Sequence, residues 1–452
     1  MTETLHAEAA PRRAHVLFAA HPTVGHTGAL RAIGTELRAR GHATSFALVQ
    51  ARVPFESRWP EPVRAAAALP RSIASEGATL CPLTPSPLAL WHAARLPRAT
   101  GQGELEIALT LFTSGLAQQA REIAAHARRT EAAVIVGDYL MPAALLGARL
   151  AQRPFAALYH SALPFPADGA PPFGTMLPES ARGAAVWHEA EARLARMSAA
   201  FDRRVAQAAR ALGIPAPESD LLRQPISPDL NLLATTPALE PGLRPLAGPV
   251  VMTGPCLPPR SALDDAGRAA LDALPRGVRI VYVLLGTIFN DQPGVYRALV
   301  AGAVASGAHV VVSAGASFDA LAPLRGSGVQ IFRRVPQVPL LERVDAVITH
   351  GGNNTVQESL AAGRPMVVVP FGGDQQANAH RVERLGVGAR MSAADLSVDA
   401  VRSAVERLAA PRVVERARDI ARALEAYGGV RAAADAVLEV ALAGSTNERP
   451  SP

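Results

Sequence analysis

The chain has 452 residues, 49% of them hydrophobic, enough for two cores and incompatible with wholesale disorder. Its formal charge is +6, and all 45 basic residues are arginine. With no lysine it can build neither a Walker-A phosphate loop nor a pyridoxal-phosphate Schiff base, and Cys81 and Cys256 alone support neither a disulfide scaffold nor a cysteine zinc site.

The first element expected is a buried strand over 15–20, a short apolar run too interrupted by His15 and His21 to serve as a signal peptide. The loop His21-Pro-Thr-Val-Gly-His26 follows. A helix then places Leu30, Ile33 and Leu37 on one face and stops at Gly41. Strands are expected over 43–49, over 132–136 ending at Gly137-Asp138, and over 155–159, with a helix over 142–152. Residues 52–100 give no firm period, and 163–178 are rich in Pro and Gly and read as a long loop. Val186, Ala190, Leu194, Met197, Phe201, Val205, Ala208 and Leu212 recur at helical spacing, a long packing stripe ended by Gly213 and Pro215.

Seven prolines between Thr236 and Pro259 mark an expected linker over 236–262. Beyond it the alternation repeats: strands over 278–285, 309–313, 329–332, 345–349 and 365–369, and helices over 293–306, 354–362, 374–385, 397–409 and 411–443. The division expected is an N-terminal domain 1–235, the linker, a C-terminal domain 263–430, and a C-terminal helix and tail 431–452. Alternating strands and helices imply an α/β chain of two Rossmann-like, doubly wound domains facing across a cleft, with ligands at the carboxyl ends of the strands. No apolar run approaches the ~18 residues of a membrane span. The arginines are interleaved with acids, so no nucleic-acid footprint is present, and a cytoplasmic location is expected. No GxGxxG motif follows either first strand, which argues against a dinucleotide oxidoreductase.

The most informative stretch is Thr349-His-Gly-Gly-Asn-Asn-Thr-Val-Gln-Glu358. A strand ends, two glycines turn the chain, and a helix starts with unpartnered N–H groups and the positive end of its dipole, a place for an anion. His350, Asn354 and Thr355 add donors there. Glu358 lies one turn on, where a carboxylate can accept from ribose hydroxyls. The pattern suits a nucleoside diphosphate, although a structural Gly-Gly turn with a capped helix has the same local form.

Val335-Pro-Gln337, His350-Gly-Gly-Asn-Asn-Thr355, Glu358, Gly363-Arg-Pro365, Pro370 and Asp374-Gln375 together resemble the donor box of the inverting, family 1 nucleotide-sugar glycosyltransferases of GT-B fold. Leu285-Gly-Thr-Ile-Phe-Asn-Asp-Gln-Pro293 is in addition similar to their bacterial macrolide branch. The resemblance implies that His350, Gly352, Asn354 and Thr355 bind the diphosphate, with Thr287 a further phosphate contact and Ser161 a donor contact. It implies that Glu358 binds the ribose, that Gln337 and Val335 lie beside base and ribose, and that Asp374 and Gln375 hold the sugar hydroxyls. Arg334 stands where the family often has a Trp stacked on the base; a guanidinium plane can stack there too. Asn353 replaces a Trp of the plant members, and Ala29 a Pro that often follows the family's His.

Transfer to an alcohol needs a base at the acceptor oxygen. His26 matches the Gly-His of the family, and Asp138, ending a strand at the same sheet edge, is expected to orient it; His21 is the second candidate. The activity implied is metal-independent transfer of a hexose, glucose from UDP-glucose, to a hydroxyl of a small apolar natural product such as a macrolide or polyketide. A carotenoid, sterol or lipid acceptor, a nucleotide-sugar epimerase, and a non-catalytic sugar-nucleotide-binding protein are the alternatives. No cofactor is expected beyond the UDP-sugar co-substrate. The chain has no Asp-x-Asp triplet for a divalent ion. Phe165, Phe173, Trp59 and Trp91 are candidates either for an acceptor wall or for core packing.

Overall fold

The computed structural model describes residues 13–50, 61–86, 101–218, 220, 222–258, 265–286, 291–326 and 328–443. Among these residues thirteen strands form two parallel sheets. The first has the order β3-β2-β1-β4-β5-β6-β7, with β1 His15–Ala20, β2 Ala43–Val49, β3 Thr79–Leu83, β4 Val134–Asp138, β5 Phe155–Tyr159, β6 Leu230–Leu233 and β7 Val250–Met252. The second has the order β10-β9-β8-β11-β12-β13, with β8 Ile280–Leu284, β9 His309–Ser313, β10 Val329–Phe332, β11 Ala346–Thr349, β12 Met366–Val368 and β13 Gly388–Arg390. The strand order reverses at β1 in one sheet and at β8 in the other. At such switch points the neighbouring crossovers diverge to opposite faces and leave a crevice.

The central strands are continuous apolar runs because each sheet is covered on both faces. One face of the first sheet packs Leu17, Ile135, Ala157 and Tyr159 against the helices Leu116–Arg129, Pro142–Ala151 and Ala185–Leu212. The other packs Val16, Phe18, Val134 and Leu232 against the helix Val24–Ala39. Leu30, Ile33 and Leu37 of that helix are fully buried, a contribution of roughly 1.5–3 kcal/mol each. The second sheet repeats the arrangement around Tyr282 and Val368 on one face and Val283 and Val367 on the other.

Three sequence expectations are corrected. Within the segment read as linker, Val250–Met252 is a strand that pairs in parallel with β6. The first domain therefore extends past residue 235, and the prolines there flank a strand instead of spacing two domains. The helix expected over 411–443 is two helices, Pro411–Glu425 and Val430–Ala443, separated by Gly428 and Gly429 at φ 76° and 52°. That left-handed pair turns the chain back, so Ala433, Ala434, Val437 and Ala441 pack on the first domain's core. Finally, the stretch 52–100 contains, where it is described, the helix Glu61–Ser75 and the edge strand β3. Pro70 and Pro82 inside these elements account for the weak pattern. Trp59, Trp91 and Thr287 lie outside the described residues.

Candidate active site

His26 lies in the first turn of the helix Val24–Ala39, where its backbone N–H donates to the Thr23 hydroxyl at 3.3 Å. Asp138 is the last residue of β4, the strand next to β1, so both residues stand at the carboxyl edge of the sheet. His26 Nδ1 hydrogen-bonds Asp138 Oδ2, and the Leu140 N–H donates to Asp138 Oδ1 at 2.9 Å. Burial alone would raise the Asp138 pKa, but His26 and His160 outweigh it and hold the carboxyl well below its usual range. The carboxylate is thus an acceptor. Nδ1 of His26 faces it as the donor, and Nε2 lies on the far side of the ring from that bond.

His21, the second candidate, is placed differently. Its Nε2–H donates to the Leu140 carbonyl at 3.2 Å, its ring stacks on Phe112 with centroids 4.4 Å apart, and burial pushes its pKa down to about 4. It is neutral, and its Nε2 is occupied. The His26 side chain remains 18% exposed, so of this pair it is the imidazole open to an acceptor.

In the second domain, β11 runs into His350-Gly351-Gly352 and the helix Asn353–Ala361, which has no side-chain cap on its first N–H groups. Gly351 has φ 90°, and a Cβ there would strike Val368, so only glycine makes this turn. The His350 ring lies against Gly286 and Gly352, with Nδ1 3.3 Å from the Thr349 hydroxyl, and burial lowers its pKa to about 4. Burial raises the Glu358 pKa to about 6, against the opposing hydrogen bond from Gln337 Nε2. Gln337 also reaches the Thr355 hydroxyl at 3.3 Å, joining three of the residues implied for the donor. Val335 packs on the core and Arg334 is exposed.

Three expected donor residues are engaged by protein groups. Gln375 Oε1 accepts from the N–H groups of Phe371 and Gly372 at 2.8 and 3.3 Å, pinning its own loop. Asp374 Oδ2 accepts from Ala162 N across the two domains at 3.4 Å. The Ser161 hydroxyl is 2.7 Å from the Tyr139 hydroxyl. Asn353 donates to the His160 carbonyl at 2.6 Å, and Asn354 Nδ2 would be 3.1 Å from a Cβ on Gly28. The helix that carries His26 therefore abuts the helix that starts at the anion site.

Glu104 belongs to no motif and reaches the site only through folding, so the sequence did not single it out, and it left His160 open between cleft and core. Glu104, on the helix Gly101–Phe112, lies against Gly372 and Gly373, with Oε2 buried and without a hydrogen-bond partner. Burial, then the charge of Asp374, push its pKa up to about 7. An acid raised on folding is neutral in both states at low pH. It costs stability increasingly from its unfolded pKa upward, with the full cost present above about 7. Glu104→Gln is therefore expected to change thermal stability little near pH 4 and to raise it at pH 8 by on the order of 2–3 kcal/mol. Equal effects at both pH values in thermal unfolding would refute this.

The donor atoms of His26, Asp138 and His160 lie within 4.8 Å of one another, a spacing compact enough for a cation. Each Asp138 oxygen already faces one imidazole, however: Oδ2 is hydrogen-bonded to His26, and Oδ1 lies 3.2 Å from His160 Nε2. A cavity of about 1040 Å³ opens beside this cluster at Ala162 and Leu163, walled by Phe165, Phe173 and Trp187 on its apolar side and by Arg182, Arg244 and Arg381 on its charged side. His26, Asp138 and His350 do not line it. Among the described residues no helix is long and apolar enough to cross a membrane.

Residues 275–416 match the family described as UDP-glucoronosyl and UDP-glucosyl transferase. The chain is 29% identical over 214 residues to an uncharacterized UDP-glucosyltransferase, YojK, of Bacillus subtilis, covering 47% of this chain and 52% of that one. It is 34% identical over 163 residues to the oleandomycin glycosyltransferase of Streptomyces antibioticus, covering 35% and 38%. The matched part thus spans about half or less of these relatives' own lengths. The chain is similar to the crystal structure of the glycotransferase of kitacinnamycin, with TM-score 0.70 and 27% identity, covering 95% of this chain and all of that one.

Proposed function

Starting from a chain that belongs to the family 1 glycosyltransferases, in their macrolide-type branch and with their GT-B fold, we propose that it moves a hexose from a UDP-sugar to a hydroxyl of a small apolar natural product, with inversion and without a metal ion. The observation that carries this reading is the juxtaposition of two sites: the His26–Asp138 pair at one sheet edge, and, against Gly28 of the same helix, the start of the helix Asn353–Ala361.

The diphosphate sits at that helix start and on His350, Gly352, Asn354 and Thr355, with Thr287 nearby in sequence to Gly286. Glu358 takes the ribose, with Gln337 shifting from Glu358 to share it. Asp374 and Gln375 border the sugar. The acceptor oxygen attacks the anomeric carbon from the side opposite the diphosphate. As the new C–O bond forms, the bond from that carbon to the diphosphate oxygen breaks and its electrons leave with UDP. The acceptor proton passes to His26 Nε2, and ionised Asp138 stabilises the imidazolium through Nδ1. Charge developing on the leaving diphosphate meets the helix N–H groups and the His350 ring N–H. The Phe165, Phe173 and Trp187 side of the cavity that opens at Ala162 supports an acceptor with an apolar face.

Glucose from UDP-glucose is the donor we propose. The test is incubation with UDP-glucose, other UDP-hexoses and TDP-sugars, against macrolide, polyketide and sterol alcohols, read by mass spectrometry with and without chelator. Gain of one hexose mass, unchanged by chelator, is expected. Conversion of the donor without modification of any acceptor would support an epimerase and overturn this reading; loss of activity with chelator would overturn the metal-free step.

A further inference from the structure

Asp138 faces two imidazoles, and the mechanism above uses one. His160 follows the last residue of β5, is 5% exposed, and holds Nε2 3.2 Å from Asp138 Oδ1, while His26 takes Oδ2. The two rings stand 5.0 Å apart at 70°. The other groups around His160 are Tyr139, whose ring is 6.1 Å away on the segment after β4, and Asp374 from the second domain. The His160 carbonyl accepts from Asn353, and Ala162, two residues on, donates to Asp374. One short segment thus touches the carboxylate behind the base and two residues at the donor end.

We propose that His160 is a positioning residue: it shares Asp138 with His26 and thereby sets the pH below which His26 no longer accepts the proton of the acceptor hydroxyl. The inference rests on the glycosyl-transfer reading above. The physical reason is competition for one buried carboxylate. A positive imidazole about 5 Å from His26 opposes a second positive imidazole on the same partner, because like charges at that range disfavour each other's ionisation. Burial alone would lower the His160 pKa, but Asp138 and then Asp374 outweigh it, and the net direction is upward. The charged form of His160 is thereby favoured, and where it is present it opposes a second charge on the imidazole that shares its carboxylate. The cost is a smaller gain when His26 becomes protonated, so the arrangement exchanges some driving force for the correct resting protonation state.

The test is the pH profile of kcat/KM for transfer in wild type, His160→Gln and His160→Phe. Glutamine can still donate to Asp138 but carries no charge. His160→Gln is expected to move the acidic limb upward by about 0.5–1.5 pH units, with UDP affinity and the KM for the acceptor nearly unchanged. His160→Phe should move the limb the same way and also lower kcat, since Asp138 Oδ1 then keeps only the Leu140 N–H. An acidic limb in His160→Gln that coincides with wild type overturns the proposal. If neither variant folds, the side-chain 15N spectrum of wild type decides: a buried, slowly exchanging imidazolium at pH 7 supports the proposal, and its absence overturns it. Failure of the wild type itself to transfer sugar to any acceptor would count against the glycosyl-transfer reading instead.

Discussion

His26→Ala is expected to lower the rate of transfer to a simple alcohol by on the order of 10²–10⁴, the span of a positioned general base. An alcohol is a poor nucleophile until its proton has somewhere to go, and His26 Nε2 faces away from the Asp138 bond that fixes the ring. Asp138→Ala should cost somewhat less, because an unoriented imidazole still accepts a proton. The two residues act as one unit, so the double variant should be little worse than His26→Ala. UDP affinity should survive in all three, since both residues belong to the other domain. An acceptor with a more acidic hydroxyl, such as an activated phenol, should recover part of the rate. Steady-state kinetics with both acceptor types decides the matter. Full activity of His26→Ala on a simple alcohol would exclude this base. His21 would then be the residue to test, although the Leu140 carbonyl already occupies its Nε2.

The second large effect is expected at the diphosphate. His350→Ala should weaken UDP binding by about 1.5–3 kcal/mol, the worth of a hydrogen bond to a charged group, or roughly 10–150-fold in Kd. The residue is buried and neutral, its Nδ1 lies by the Thr349 hydroxyl, and its ring lies against Gly352 at the helix start. A neutral ring donates one N–H to an oxygen and needs no counter-charge when the site is empty. Isothermal titration with UDP measures the loss, and the same titration with chelator tests the absence of a metal. An unchanged Kd in His350→Ala would remove His350 from the phosphate site. Binding in wild type that disappears with chelator would mean that an ion, and not the helix terminus, neutralises the diphosphate.

The donor site was the more legible of the two because its residues are local. Thr349 to Glu358 form a strand end, a glycine turn and one helix, so spacing along the chain already fixes who faces whom. The pairing of His26 with Asp138 was legible only as two strand ends at one sheet edge, together with the resemblance, since 112 residues separate them and adjacency of β1 and β4 brings them together. The contacts of Gln375 and Ser161 with protein groups could not be read from position along the chain. In this chain the Gln375 oxygen is held by its own loop and the Ser161 hydroxyl meets Tyr139.

From composition and periodicity alone, the chain was bound to two doubly wound sheets. Apolar runs such as Ile280–Leu284 cannot stay in water, and a run without alternation must be covered on both faces. Short or edge elements escaped that logic. β7 has three residues among prolines, and β3 carries Pro82, so neither is long enough to show a period. Where the final helix turns back depended on Gly428 and Gly429, whose left-handed conformation matters only because the first domain offers Val437 and Ala441 an apolar face to cover. His160 and Glu104 were decided by tertiary structure entirely. An isolated His or Glu in a sequence is a solvated side chain until the fold removes its water. Only that removal makes the Asp138 carboxylate worth sharing and leaves the Glu104 oxygen without a partner.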